Sequence, residues 1–462
     1  MGGPGDEGPS GVIIDETGSI YVAGAFQRQV DFDPGPGKDL HIALDDPCDC
    51  RANSFLTKLT SEGDYLWTIS FRPVEGSAAA YAFARDVAGN LILAGYLGGL
   101  VDFDPGPAVD AHLGGSDIFV TKLHDDGTYV WTRTFGGGGY DYGSDVGVDR
   151  EGNIYVTGIF RGTADFDPGP DEDYHRALLR PIFEDTFVTK LLPDGSYGWT
   201  ITYPVFSNDQ IAVSPEGDIV LTGSFNQAVD FDPTPAVDMR TPVPPPPGTG
   251  TGGDIFVTKI RADQSYAWTY AVGSPSLEKG EAALIMPDGG VLVLGTFREP
   301  LDFDPGPDKA LASCRLYGSC EFLLRLNGDG SFAWVRTTPE ASSLPSRAIV
   351  LDAEGSVYYT RWLLSTDVDP TCGFDFRTPT GPGGADIFLT KLLCNAAPGD
   401  ADGDGDVDLF DLGKYQNCFT GGPNTHGIVT PCAAGCEPFD LTPDNALDLS
   451  DFAAFQILLT GP

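Results

Sequence analysis

The segment VDFDPGP occupies residues 30–36 and returns unchanged at 101–107. ADFDPGP (164–170), VDFDPTP (229–235) and LDFDPGP (301–307) are close variants, and a sixth, degraded copy, TDVDPTCG, begins at 366. Successive copies start 71, 63, 65, 72 and 65 residues apart. Self-similarity at a near-constant period restricts a chain to architectures in which each unit buries an apolar face against the next.

The third copy shows what the unit contains. DVGVD (145–149) and NIYVTGIF (153–160) are β-rich runs separated by a short Gly turn, and TFVTKLL (186–192) and YGWTITY (197–203) are two more, separated by PDGS. Both gaps predict hairpins. The Asp-Pro motif falls in the long connection between the second and third runs. Four short antiparallel strands per unit is the pattern of a β-propeller blade. The third strand recurs as FLTKL (55–59), FVTKL (119–123), FVTKL (187–191), FVTKI (256–260), FLLRL (322–326) and FLTKL (388–392), and the fourth carries Trp67, Trp131, Trp199, Trp268 and Trp334. These tryptophans are expected to pack blade against blade. The high Gly (60) and Pro (37) content agrees with many turns and little helix.

The expected fold is therefore an all-β six-bladed β-propeller of four-stranded blades over residues 1–394, with blades near 11–71, 85–135, 145–203, 210–272, 282–338 and 347–394. A small α-helical calcium-binding domain follows at 395–462. Blade six stops at Cys394 without a Trp strand, and residues 2–15 match the segment after blade two's Trp strand in length. The natural chain is accordingly expected to begin upstream, with an export signal and one strand that closes blade six; MGGPGDEGPS itself has neither a basic nor an apolar signal-peptide region.

The shared elements GxDVGVDxxGNIYVTG and DxFVTKLxxDGxYxWT resemble the bacterial extracellular β-propeller repeats of the SBBP kind over roughly residues 2–393. The resemblance implies a secreted or cell-surface bacterial protein and no particular chemistry.

The motif loops are expected to share one face with the Gly-rich loops between blades. That face would gather Asp31 and Asp33, Asp102 and Asp104, Asp165 and Asp167, Asp230 and Asp232, Asp302 and Asp304, and Asp367 and Asp369. Such a ring repels itself unless cations, backbone N–H groups or basic side chains compensate. The favoured reading is architectural: Asp before Pro opens turns, its carboxylate accepts backbone N–H groups, and the Phe plugs the blade. Cation binding is the alternative. His41, His112 and His175 each lie ten residues after the first Asp, while Arg240 and Ala312 take that place in blades four and five; an exposed strand position is expected there rather than a metal site.

The most specific chemical signal is DADGDGDVDLFD (400–411). Asp400, Asp402, Asp404, Asp408 and Asp411 stand at positions 1, 3, 5, 9 and 12 of a calcium loop. Gly405 takes the sharp turn at position 6, and Asp406 offers its carbonyl at position 7. DLTPDNALDLSD (440–451) is a poorer second copy, with Asp440, Thr442, Asp444, Asp448 and Asp451 as ligands and Ala446 at the carbonyl position. Each loop runs into an apolar-patterned helix. Ca²⁺ is the expected cofactor. Two such loop-helix units are similar to a type I dockerin, which implies a protein partner. Dockerins meet their cohesin through small hydroxyl residues at loop positions 10 and 11. Here those positions hold Leu409–Phe410 and Leu449–Ser450, a departure that argues against a cellulosome-type cohesin but not against the calcium fold; the expected partner is a cohesin-like or other envelope protein.

Charge bounds the remaining choices. With 67 acidic and 27 basic residues the net charge is −40, which excludes a phosphate-binding footprint and hence nucleic acid as a partner. No apolar run is long enough for a transmembrane helix. The nine cysteines are read as loop staples of an oxidising exterior. The expected function is a non-catalytic binding or scaffold protein, taking a carbohydrate or protein ligand on the propeller face. The alternative is an extracellular polysaccharide-active enzyme, a lyase or glycoside hydrolase using paired carboxylates in the propeller funnel. It requires one blade to break symmetry with a buried, shifted acid.

Overall fold

The computed structural model describes residues 7–43, 53–178, 184–205, 207–246, 252–307, 309–313, 319–341, 349–351, 357–363, 366–367, 376–377 and 386–392. All of 395–462, with every predicted calcium ligand, lies outside them. The chain divides into two compact units, Met1–Val291 with Gly328–Ser331, and Leu292–Asn327 with Phe332–Pro462. The described residues are all-β, without a helix.

The first unit holds four blades of four antiparallel strands, the first two joined into one sheet by a parallel pairing of Asn53 with Ala78. Blade one comprises Glu7–Ile14, Ile20–Phe26, Asn53–Leu59 and Tyr65–Ser70. Blade two comprises Arg72–Arg85, Leu91–Asp102, Ala111–Leu123 and Tyr129–Gly137. Blade three comprises Tyr142–Val148, Ile154–Phe160, Asp185–Leu191 and Tyr197–Tyr203. Blade four comprises Ser207–Val213, Ile219–Phe225, Asp254–Ile260 and Tyr266–Val272. Lys279–Ile285 is a further first strand. In the second unit Val291–Phe297, Ser319–Leu326 and Phe332–Ala341 neighbour one another in that order, and so do Ile349–Leu351, Val357–Leu363 and Asp386–Leu392. Blade two departs from its siblings: its first three strands run on as one extended ribbon, with Arg72 opposite Asp102 and Asp102 opposite Ala111.

The core lies between blades. Second strands such as Ile154–Phe160 and Ile219–Phe225 are buried along their whole length, because each sheet is covered on both faces by its neighbours. One apolar cluster joins Ile92, Val120 and Trp131 of blade two to Ile154, Val156 and Phe187 of blade three. A second joins blades one and two around Leu56, Leu93 and Phe119, and a third joins blades three and four around Tyr155, Leu221 and Phe256. Trp67 and Trp199 pack against the last two, as a blade-to-blade role requires. Polar bonds cross the same seams. Ile211 N–H donates to Asp145 Oδ2 at 2.9 Å, and Ala80 N–H donates to Ser54 Oγ at 2.8 Å.

The recurring lysine of the third strand is paired too, across the seam from blade one to blade two and within the blade in blades two and four. Lys122 Nζ reaches Asp86 Oδ2 at 2.9 Å with both side chains nearly inaccessible. Lys58 meets Asp125 at 2.7 Å and Lys259 meets Asp218 at 3.2 Å. A charge this deep is tolerated only when paired.

The PDGS-type turn between third and fourth strands carries a glycine with φ near +80° at Gly63, Gly127, Gly195 and Gly330. Gly195 abuts the Trp131 indole of the preceding blade, its would-be Cβ 3.0 Å from the ring. Blade four puts Gln264 in this place at φ 68°, a left-handed conformation that costs a residue with a Cβ about 1–2 kcal/mol. Gln264→Gly is therefore expected to stabilise the protein by about 0.5–1 kcal/mol after the entropy that glycine adds to the unfolded chain, read as a rise in the urea midpoint at unchanged m.

Candidate functional site

The Asp-Pro motif forms the same small hairpin in each described copy. In the third, Thr163–Asp165 pairs with Tyr174–Arg176. Asp165 Oδ1 accepts the N–H of Asp167 (3.2 Å) and of Asp173 (2.8 Å), while Asp167 Oδ1 accepts the N–H of Gly169 at 2.7 Å. Asp31, Asp102, Asp230 and Asp302 repeat the first pattern, and Asp33, Asp104, Asp232 and Asp304 the second. The recurring carboxylates are thus compensated by backbone N–H groups. Phe32, Phe103, Phe166, Phe231 and Phe303 are buried between them. Phe166 meets Phe160 edge-on with centroids 5.2 Å apart, and Phe26–Phe32, Phe225–Phe231 and Phe297–Phe303 copy that geometry. Asp367 lies in a two-residue strand opposite Phe376; Asp369 is outside the described residues.

The Gly-rich segment after blade two pairs with this hairpin, Gly136 opposite Asp165 and Gly137 opposite Ala164. Motif loop and inter-blade loop therefore share a face, as the strand alternation implied. A Cβ on Gly137 would stand 2.1 Å from Thr163 O, and one on Gly139 2.1 Å from Arg161 O, so only glycine admits this approach.

The histidines are anchored, which corrects the expectation of a merely exposed position. His41 Nε2 lies 3.0 Å from Asp39 Oδ2 and Nδ1 lies 2.7 Å from Ser70 Oγ. Tyr65 donates its hydroxyl to the same Asp39 oxygen. His112 joins Asp110, Thr134 and Tyr129, and His175 joins Asp173, Thr202 and Tyr197, in the same way. Blade four keeps Asp238 and Tyr266 but substitutes Arg240, which donates to Asp238 Oδ2 at 2.9 Å. In the fifth copy Ala310, Ala312 and Phe332 replace all three polar members together. The trio stands or falls as a unit because each member satisfies another. Among the described residues no three His, Cys, Asp or Glu side chains converge where a metal ion could sit.

A cleft of about 780 Å³ opens between the third hairpin and the fourth strand of blade two, lined by His112, Arg133, Thr134, Pro168, Gly169 and Tyr197. Arg133 is held rigidly there. Nε donates to Gly195 O at 3.0 Å and Nη2 to Asp194 O at 3.0 Å, and the guanidinium lies 5.1 Å from the Trp131 ring centroid.

The repeat is broken most sharply at the junction of blades two and three. Tyr81 stacks on Tyr96 at 5.7 Å, Tyr142 meets Tyr81 edge-on at 5.7 Å, and Tyr140 meets Tyr142 at 5.6 Å. Tyr81 and Tyr140 are 41% and 43% exposed. Between Tyr140 and Tyr142 in the chain, Asp141 is fully buried and accepts the N–H groups of Gly137 (2.7 Å) and Arg161 (2.9 Å). Burial pushes its carboxyl up to about 6 against those two bonds, with nearby Asp117 adding repulsion. Asp117 is raised as well, by burial, and its Oδ1 has no hydrogen-bond partner. Arg161 pairs with Glu184. A second raised acid, Asp254, is buried with Oδ1 unpartnered, while Oδ2 accepts the Val243 N–H at 2.9 Å. Burial, with Glu278 nearby, lifts it to about 6.

Residues 130–158 match the beta-propeller repeat family SBBP. The matched stretch spans the fourth strand of blade two to the second strand of blade three and contains GSDVGVDREGNIYVTG. The chain is also similar to the uncharacterized WD repeat-containing protein L264 of Acanthamoeba polyphaga mimivirus, 21% identical over 411 residues, covering 75% of this chain and 29% of that protein. It thus spans less than a third of that relative's length. Among solved structures, rhamnogalacturonan lyase YesW aligns over 82% of this chain and 72% of its own at 10% identity and a TM-score of 0.27. The extracellular domain of the one component system BT4673 of B. thetaiotaomicron aligns over 83% and 64% at 12% identity and a TM-score of 0.16. At these TM-scores neither likeness bears on function.

Two outcomes follow. Asp165→Asn keeps the Oδ1 acceptor and should change stability little, whereas Asp165→Ala strands two N–H groups and should cost about 1–3 kcal/mol in urea unfolding. Asp254 has a folded pKa near 6 against an ordinary 3.8, so the native state holds the extra proton and stability falls as pH rises from about 4 to about 6. Asp254→Asn should remove a loss on the order of 3 kcal/mol across that window and be the more stable form at pH 7, as measured by paired urea titrations at pH 4 and pH 7.

Proposed function

We propose that this chain is a secreted or cell-surface binding and scaffold protein. Six blades over residues 1–394 form a propeller, and a dockerin-like calcium module at 395–462 attaches it to a cohesin-like or other envelope partner. One observation carries the binding reading: in five copies of the Asp-Pro motif the repeated carboxylates are spent on backbone N–H groups. The repeating acids are then architecture, and recognition falls to whatever differs from blade to blade. Cys320 is disulfide-bonded, which suits an oxidising compartment. It sits buried at the head of a strand rather than in a loop, and its partner cysteine lies outside the described residues.

A polysaccharide-active enzyme is the second reading. The buried, raised Asp141 beside Asp117 is the symmetry-breaking acid pair that reading needs. Against it, Asp141 is fully buried and both its oxygens accept backbone N–H groups, so a substrate does not reach it.

Calcium should bind the full chain at two unequal sites, the tighter at 400–411. Calorimetric titration should show two transitions, Asp400→Asn with Asp404→Asn should abolish the tighter, and chelator should unfold the module alone. Absence of calcium heat, with an unchanged melt in excess chelator, would remove the docking module from this account.

A further inference from the structure

We propose that the tyrosine cluster of Tyr81, Tyr96, Tyr140 and Tyr142 is a glycan-binding platform that takes a neutral oligosaccharide, stacking pyranose rings on Tyr81 and Tyr140. The proposal rests on the binding-protein reading above and assigns that protein its ligand class.

Among the described residues most phenylalanines are buried, and an exposed cluster of large aromatic rings is the informative exception. Here Tyr96, Tyr81, Tyr142 and Tyr140 form a chain of ring contacts, each under 6 Å between centroids, and two of them keep about two-fifths of their surface in solvent. The cluster is not dictated by the repeat. At the place of Tyr81, blade three has Ser144 and the strand Lys279–Ile285 has Glu281. The repeat therefore folds without it. A pyranose has apolar C–H faces and an equatorial rim of hydroxyls. Exposed phenol rings match the faces, and their hydroxyls match the rim. Tyr96 is already oriented by a 3.0 Å contact with Ser77 Oγ, so the platform is set before a ligand arrives.

The neighbouring charges select among sugars. Arg161, the cation of this junction, is committed to Glu184. Glu184 lies close enough to Tyr140 to act on its hydroxyl, and the chain carries a net charge of −40, so a uronate- or sulfate-bearing chain meets repulsion at this platform. The site suits hydroxyl donors and excludes polyanions.

The test uses the full chain. Isothermal titration with neutral gluco-, manno- and xylo-oligosaccharides is run beside an oligogalacturonate and a Lys-rich peptide, and near-UV circular dichroism checks that each variant is folded. Binding by a neutral oligosaccharide is expected, with Tyr81→Ala and Tyr140→Ala each weakening it by about tenfold or more. Tyr140→Phe, which keeps the stacking face, should stay within a few-fold of the wild type. The oligogalacturonate should bind at least about tenfold more weakly at low salt, and the gap should narrow as salt screens the acids. Neutral oligosaccharide binding that both alanine variants leave intact overturns the platform while sparing the binding reading. So does binding of the peptide alone. Release of shortened sugars, lost in Asp117→Asn, overturns the non-catalytic reading itself.

Discussion

Each blade of this protein is a sheet with two apolar faces and no core of its own. Everything else depends on covering those faces. The side chains of Ile154, Val156 and Phe187 find partners in the blade before, and those of Tyr155 and Val188 in the blade after. Burial of this kind is worth about 25 cal/mol per Å² of apolar surface, and it is available only when neighbours are present. Stability is therefore a property of the stack.

The Asp-Phe-Asp-Pro hairpin makes the stack possible. Its phenylalanine enters the seam between blades, and its two carboxylates quiet the backbone of a tight loop that would otherwise leave N–H groups without acceptors. The Asp–His–Tyr trio then ties the far strand of the hairpin to the outer strand of the same blade. The fourth and fifth copies show how far this can drift. Arg240 keeps the bond by another donor, whereas the fifth copy discards all three polar groups and puts apolar side chains in their place. Both solutions avoid a half-satisfied network, the costly state.

A repeated scaffold separates its construction from its use. Features that recur from blade to blade, such as the fourth-strand tryptophans, the third-strand lysines and the hairpin carboxylates, are explained by packing and hydrogen bonding within and between neighbouring blades. The parts that the repeat does not require are Arg133 in the rim cleft, the tyrosines of the second junction, and the acids whose burial lifts them toward neutrality. Arg133, the tyrosines, Asp117 and Asp141 gather around the second and third blades, whereas Asp254 lies in blade four. The extended ribbon of blade two, with its own glycine pairs, belongs to the same departure.

How much of this could be read from residues alone follows the range of the interactions. Strand order, hairpins and the shared face of motif and Gly-rich loops were legible, because period-2 burial, turn glycines and repeat spacing are local signals. The architectural role of the Asp-Pro carboxylates was legible for the same reason: donor and acceptor lie within eight residues. The extension of blade two was not, since Gly76, Gly98 and Gly99 look like loop residues until the pairing of two ribbons is seen. The histidine anchors were missed because Asp39 and Tyr65 are 26 residues apart. The tyrosine junction was hidden further still: Tyr81 and Tyr142 come from different blades, and only their failure to match the repeat marks them in the sequence. The sequence alone determined a chain of β-hairpin repeats, its acidity and its calcium-loop spacing, because those rest on neighbours along the chain. The tertiary structure decided which acids are spent and which keep a free oxygen, and which aromatics are core and which are surface, because burial is set by what the next blade brings.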